Sequence, residues 1–319
     1  MADYDVFNGD ADGICALLQL RLAEPRDATL VTGVKRDIDL LKQIDASAGD
    51  QITVLDISMD KNSTALSNVL KSGAAVTYID HHFPGDIPTH EQLDATIDTA
   101  AEVCTGLLVN RRLNGLHLPW AVTAAYGDNL HAAAATAAAP LNLSQAQLAQ
   151  LEELGTLLNY NGYGATVDDL FFAPDALFKK LLPYSDPFEF INSDDTFKEL
   201  KTGYESDMAN AKAIEASFAT DDCALFKFPQ ESWSRRVGGV YGNELARNYP
   251  DRAHALLSEI AANTYQVSVR APLNRREGAD ELCRQFASGG GRKAAAGINH
   301  LPSSEVEQFT EAFTRQFAS

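Results

Sequence analysis

Four places in the first half of the chain put acidic side chains directly after an apolar run. Residues 4–7 lead into Asn8-Gly9-Asp10-Ala11-Asp12-Gly13. Residues 52–55 lead to Asp56, residues 75–79 to Asp80-His81-His82, and residues 121–126 to Asp128. Taken singly, an aspartate after a strand is ordinarily a turn residue or a helix cap, and a His-His pair is ordinarily structural. The ordered set (DxDG, a lone Asp, then DHH) is the signal. Carboxylates gathered in one pocket repel one another and are tolerable when cations lie between them. Carboxylate and imidazole donors without thiolate suit Mn²⁺ or a similar divalent ion. Two such ions about 3.5–4 Å apart are the usual arrangement for phosphodiester hydrolysis, one activating water and both stabilising the transferring phosphoryl group.

The elements that must position these groups alternate. Short apolar runs at 4–7, 29–32, 52–55 and 75–79 read as buried strands. Segments 13–22, 37–44, 63–71 and 100–113 have helical spacing, with Asn62 and Ser63 as caps of the third. This alternation predicts a parallel, Rossmann-like α/β sheet covered on both faces. Ligands bind outside the carboxyl ends of such strands, so the acidic clusters should share one crevice. From 120 to 182 the pattern turns helical, with an Ala-rich helix over 131–139 stopped by Pro140 and a helix over 145–158 capped by Ser144. Strands at 224–228, 255–260 and 265–270, with helices at 280–286 and 305–317, predict a smaller mixed α/β domain. The expected organisation is a metal-binding domain over 1–190, a helical linker over 191–220 and a substrate-binding domain over 221–319.

The second domain has its own candidate site. Gly289, Gly290 and Gly291 would let backbone N–H groups approach an anion closely. Arg292 adds a fork of donors, and Arg270 ends the strand before it. Read alone, the triple glycine is a flexible loop. It is not a GxGxxG fingerprint after the first strand, which excludes a nicotinamide enzyme.

Composition narrows the classes further. The chain has 319 residues, long enough for two domains, and is 45% hydrophobic. Its net charge of −18 argues against a broad basic face for long nucleic acid and against docking on anionic membrane. No apolar run of transmembrane length occurs, and the N-terminus lacks the pattern of a secretory signal. The four cysteines are scattered, which implies neither structural zinc nor a disulfide framework and leads us to expect a cytoplasmic protein. Thr105 is a phosphate contact or a cap, and His131 a site neighbour or an ordinary helix residue. The pairs Arg111-Arg112 and Arg235-Arg236 read as solvated. Phe83, Tyr160 and Tyr163 read as core residues or base-stacking platforms.

NGDADG, VLDIS, YIDHH and AYGDN, in that order, resemble the motif set of the DHH phosphoesterase superfamily, which includes RecJ-type exonucleases and nanoRNases. SVRAP (268–272) and SGGGRKAAAG (288–297) are similar to its DHH-associated substrate-binding domain. The resemblance implies a first Mn²⁺ on Asp10 and Asp56, and a second on Asp12, Asp56, His81 and Asp128. Mg²⁺ and Co²⁺ are the alternative ions. It also implies that His82 lies beside the scissile phosphate, that Asp80 orients the imidazoles, and that the glycine segment, Arg292 and Arg270 grip a substrate phosphate. Three positions depart from the family pattern: Val6 and Asn8 stand where many members carry His and Asp near the first ion, and Arg292 stands where many carry His. The implied activity is end-on hydrolysis of short oligonucleotides in an interdomain cleft, in a chain that often pairs as a homodimer. The alternatives are a RecJ-like exonuclease on single-stranded DNA, a cyclic-dinucleotide phosphodiesterase, a pAp phosphatase, and a non-catalytic nucleotide sensor.

Overall fold

A computed structural model describes residues 1–318, which divide into two compact units. The first comprises 1–162 and 166–201, the second 163–165 and the chain from 202 onward.

The first unit is built on a five-stranded parallel sheet. Its strands are β1 (Asp3–Phe7), β2 (Thr29–Val31), β3 (Gln51–Leu55), β4 (Ala75–Asp80) and β5 (Leu93–Ile97), in spatial order β2-β1-β3-β4-β5. The order reverses between β1 and β3, and that switch point is where open α/β sheets leave a crevice. One face packs Val6, Ile52, Val54, Val76 and Tyr78 against Leu66, Val69 and Leu70 of α2 (Met59–Lys71). Helix α1 (Ala11–Ala23) is buried all round from Ala11 to Arg21, as its lack of a polar face requires. It packs against α3 (Thr105–Arg112) and α4 (Leu118–Gly127). Helices α5 (His131–Ala138), α6 (Gln145–Asn161), α7 (Pro174–Leu181), α8 (Pro187–Ser193) and α9 (Asp195–Lys212) follow, and the division between units falls within α9. Between α1 and β1, Arg21 makes a bidentate pair with Asp5, Nε to Oδ2 at 2.7 Å and Nη2 to Oδ1 at 2.5 Å.

Several local expectations change. The helix predicted over 37–44 is a single 3₁₀ turn, Leu40–Gln43. Asn62 is no cap: it is buried, its Oδ1 accepting from Leu41 N–H (3.2 Å) and its amide donating to the Ile38 carbonyl (2.6 Å). Helix α2 starts earlier than expected, after Ser58. The segment 100–113 becomes helical at Thr105, and β5 is an additional edge strand whose sequence, LDATI, has no apolar run to announce it. The apolar segment before Asp128 is α4, and Asp128 is its C-terminal cap.

The second unit holds a six-stranded sheet, order β10-β11-β9-β8-β7-β6. The strands are β6 (Phe218–Ala219), β7 (Cys223–Phe228), β8 (Ala253–Ala261), β9 (Thr264–Arg270), β10 (Gly289–Gly291) and β11 (Ala295–Pro302). All pairings are antiparallel except β7 with β8, which α10 (Ser232–Asn248) connects. The short α11 (Ala279–Cys283) precedes β10. Phe309, Phe313 and Phe317 of α12 (Val306–Phe317) fill the core over one face.

Candidate metal centre

The carboxyl ends of β1, β3 and β4, joined by the end of α4, bring Asp10, Asp12, Asp56, His81, His82 and Asp128 together. Asp10 caps α1: its Oδ1 accepts from the N–H groups of Asp12 (3.0 Å) and Gly13 (3.1 Å). Asp12 faces the N-terminus of α3, accepting from Thr105 N–H (2.8 Å) and Gly106 N–H (2.7 Å). Asp56 sits in a left-handed backbone conformation (φ 59°) just past β3, a geometry uncommon outside Gly, Asn and Asp. Thr105 turns its hydroxyl to Asp56 Oδ1 (3.2 Å), so it positions a carboxylate and is not free for phosphate.

The orientation of His81 carries the most information. Its Nδ1 lies 2.8 Å from the Val103 carbonyl, which only accepts, so Nδ1 carries the proton. In the neutral ring Nε2 is then a bare lone pair. It points at Asp56 Oδ1 (3.5 Å), Asp128 Oδ2 (3.8 Å) and Asp12 Oδ2 (3.9 Å). A lone pair aimed at three carboxylates is an unfavourable arrangement without a cation among them. The resemblance assigned the orientation of both imidazoles to Asp80. Here Asp80 Oδ1 holds His82 Nδ1 (2.8 Å), while the Val103 carbonyl fixes His81. Asp80 Oδ2 is buried without a hydrogen-bond partner. Donor atoms of Asp56, His81 and His82 all lie within 4.8 Å of one another.

The electrostatics of the cluster are divided. Burial pushes the Asp56 carboxyl well above the usual range, and Asp12, Asp10, Asp128 and Asp80 push it further. Asp128 is raised by burial against the pull of Lys35. Burial would raise Asp10 too, but the Lys35 ammonium and the Gly13 N–H outweigh it and hold Asp10 at about 2. Lys35, which the motifs do not include, bonds Asp10 Oδ2 and Asn159 Oδ1 (2.8 Å) and lies 3.8 Å from Asp128 Oδ1. The available signal was topological. Lys35 follows β2, so it reaches the same rim as the aspartates. Oxygen-rich, imidazole-containing and free of thiolate, the set around His81 Nε2 fits a divalent ion.

The second unit places Arg270 at the end of β9. Nε donates to Asn243 Oδ1 (2.7 Å), Nη1 to Ser268 Oγ (3.0 Å) and the Val269 carbonyl (3.1 Å), and Nη2 to the Gly239 carbonyl (3.2 Å). All four acceptors are neutral, so the guanidinium charge is held in place without a carboxylate. The triple glycine is not the expected loop. It forms β10, paired with β11 in the register Gly290↔Gly297. A Cβ on Gly289 would collide with the Cys283 carbonyl, so close packing, not flexibility, demands glycine there. Arg292 and Ala295 exchange both backbone bonds and close the hairpin. Antiparallel alternation then leaves the Gly291 N–H facing out from the sheet edge. The Arg292 side chain is exposed.

The remaining candidates separate clearly. His131 lies outside the cluster, paired with Glu152 (3.3 Å). Tyr160 is core, and Tyr163 packs against Gly239. Phe83 is 71% exposed directly after His82, so of the three aromatics it is the one free to stack. Arg236 is not solvated but pairs with Asp207 (2.7 Å). The four cysteines are free and buried. Among the described residues no helix is long and apolar enough to cross a membrane.

No protein-family model and no curated protein matches the chain. Solved structures do. A manganese-bound exonuclease RecJ superposes with a TM-score of 0.66 at 16% identity, covering 98% of this chain and 89% of its own. RecJ from Thermus thermophilus, in complex with Mn²⁺, gives 0.63 at 18%, and there the match covers 98% of this chain and 51% of the other. The pGpG-specific phosphodiesterase PggH from Vibrio cholerae gives 0.60 at 14%, covering 99% of this chain and 98% of its own. The chain therefore has the fold of the DHH phosphoesterases.

Proposed function

We propose that the chain is a divalent-metal-dependent phosphodiesterase that removes nucleotides end-on from short oligonucleotides, with Mn²⁺ as the working ion. The observation that carries this reading is the His81 ring, locked at Nδ1 by the Val103 carbonyl with Nε2 facing three carboxylates. Asp12, Asp56, His81 and Asp128 would hold the ion. When bound, it supplies a nucleophile from water at neutral pH and charge stabilisation for the phosphoryl group. His82, one-third exposed and tied through Nδ1 to buried Asp80, offers Nε2 to a phosphate oxygen or leaving group. Asp80 offsets the charge that ring would gain. Arg270, whose acceptors are all neutral, anchors a terminal phosphate, with Arg292 and the outward Gly291 N–H as further donors.

Two things support a short substrate. The net charge of −18 leaves few cations for a long phosphate track. One of the matches that spans both chains nearly end to end is to a phosphodiesterase described as pGpG-specific. Four buried free thiols fit a reducing compartment such as the cytoplasm.

The test is a substrate panel with Mn²⁺: di- to pentanucleotides, a long single strand, a cyclic dinucleotide and pAp. The linear short substrates should turn over fastest, and Asp12→Asn and His81→Ala should abolish turnover. Full activity in either variant refutes the site. A preference for the long strand, the cyclic dinucleotide or pAp refutes the substrate class, and nucleotide binding without turnover at saturating Mn²⁺ makes the chain a sensor.

A further inference from the structure

We propose that the Lys35 ammonium stands where the resemblance expects the first metal ion, so that this centre works with one divalent cation and one built-in positive charge. The inference rests on the metal-dependent reading above and concerns the number of ions.

The first ion was expected on Asp10 and Asp56. Both oxygens of Asp10 are already engaged. Oδ1 is engaged by two backbone N–H groups at the start of α1, and Oδ2 by the Lys35 ammonium. Asp128 is divided between two neighbours, with Oδ1 toward Lys35 Nζ and Oδ2 toward His81 Nε2, each at 3.8 Å. Asn159, buried at the end of α6, takes a further ammonium bond at 2.8 Å. A divalent ion on Asp10 would have to share those few ångströms with a fixed cation, and like charges in a buried site exclude one another.

The chain around Lys35 is shaped to deliver it. Gly33 lies against Gly9, where any Cβ on Gly9 would collide with the Gly33 carbonyl. The Lys35 N–H donates to the Gly162 carbonyl (2.8 Å), and the Lys35 carbonyl accepts from Asn8 Nδ2 (3.3 Å). Val34 N–H donates to Asp37 Oδ2 (3.0 Å), closing the turn. Of the departures from the family pattern, the one at Asn8 bears directly on Lys35. Asn8, where an acid is common, is the amide that clamps the Lys35 backbone. Val6, where an imidazole is common, is fully buried in the apolar core beneath the sheet. The acid missing at position 8 and the lysine that fills the site belong to one arrangement. The donors around His81 Nε2 remain free of Lys35, apart from the shared Asp128, and suffice for one ion with water and substrate completing its shell.

The test is a metal count on the full chain. Equilibrium dialysis with elemental analysis should give one Mn²⁺ per wild-type chain, and electron paramagnetic resonance should give the spectrum of an isolated ion. Lys35→Met, if folded, should raise the count from one toward two at millimolar Mn²⁺. Two ions in the wild type, or a spin-coupled pair, overturns the proposal and leaves the metal-dependent reading intact. A count that stays at one in folded Lys35→Met also overturns it, since Lys35 is then not what excludes the second ion. No bound Mn²⁺ overturns both.

Discussion

Asp56→Asn should stabilise the metal-free protein, and increasingly so as pH rises. The Asp56 carboxyl is 2% exposed, and its pKa is raised by burial and then by four neighbouring acids. A carboxyl with a raised folded-state pKa binds its proton more tightly in the native chain than in the unfolded one. Its contribution is therefore favourable below the ordinary value of 3.8, and stability falls as pH climbs from there toward the folded-state pKa. Within that window the slope is about 1.4 kcal/mol per pH unit, so the wild type loses ground with each unit of pH that the raised carboxyl spans. For a unit of this size each such pH unit is a fall of roughly 3–6 °C in Tm. Asn removes the titration while keeping an Oδ1 for the Thr105 hydroxyl and a side chain suited to φ 59°. Asp10 works in the opposite sense, because its pKa of about 2 gives stability that is lost only as acid approaches that value. It is thus constant across this range. The assay is urea unfolding in EDTA at pH 5, 6, 7 and 8 for both proteins. A gap that does not widen with pH, or a variant less stable at pH 8, would refute the reasoning.

Mn²⁺ at a hundredfold excess over its Kd should stabilise the wild type by about 2.7 kcal/mol, read as a rise in Tm, and should leave His81→Ala unmoved. Arg21→Met strands the buried Asp5 carboxylate and should cost about 3–5 kcal/mol in urea unfolding, with Mn²⁺ uptake per folded chain unchanged. Arg270→Gln should raise KM for a short oligonucleotide by roughly 10- to 100-fold, the worth of a charge-assisted contact to phosphate, without altering Mn²⁺ affinity in dialysis.

The sheet and the acidic rim were legible because both follow from the alternation of buried strands and helices. A strand that is apolar to its last residue and then acidic must place the acid at the sheet edge, and Asp10, Asp12, Asp56 and His81 meet there. What stayed hidden depends on contacts between residues far apart in the chain. Asn62 looks like a cap because it is short and polar, but its amide braces Leu41 and Ile38 across the 3₁₀ turn. β5 is a half-exposed edge strand and needs no apolar run. Gly289–Gly291 reads as a loop because glycine is permissive, whereas the Cys283 carbonyl leaves no room for a side chain in a paired strand. Lys35 was invisible as chemistry because its partners, Asp10, Asp128 and Asn159, are brought to it by three different elements. The departure at Asn8 was visible in the sequence, but its meaning needed the Lys35 loop.

The most direct measurement is anomalous diffraction at the manganese edge from crystals grown with Mn²⁺. We expect a peak bounded by His81 Nε2 and carboxylate oxygens of Asp12, Asp56 and Asp128, with the Val103 bond to Nδ1 retained. A map without a peak there, with the acidic side chains turned out to solvent, would contradict the claim that this rim is a cation site.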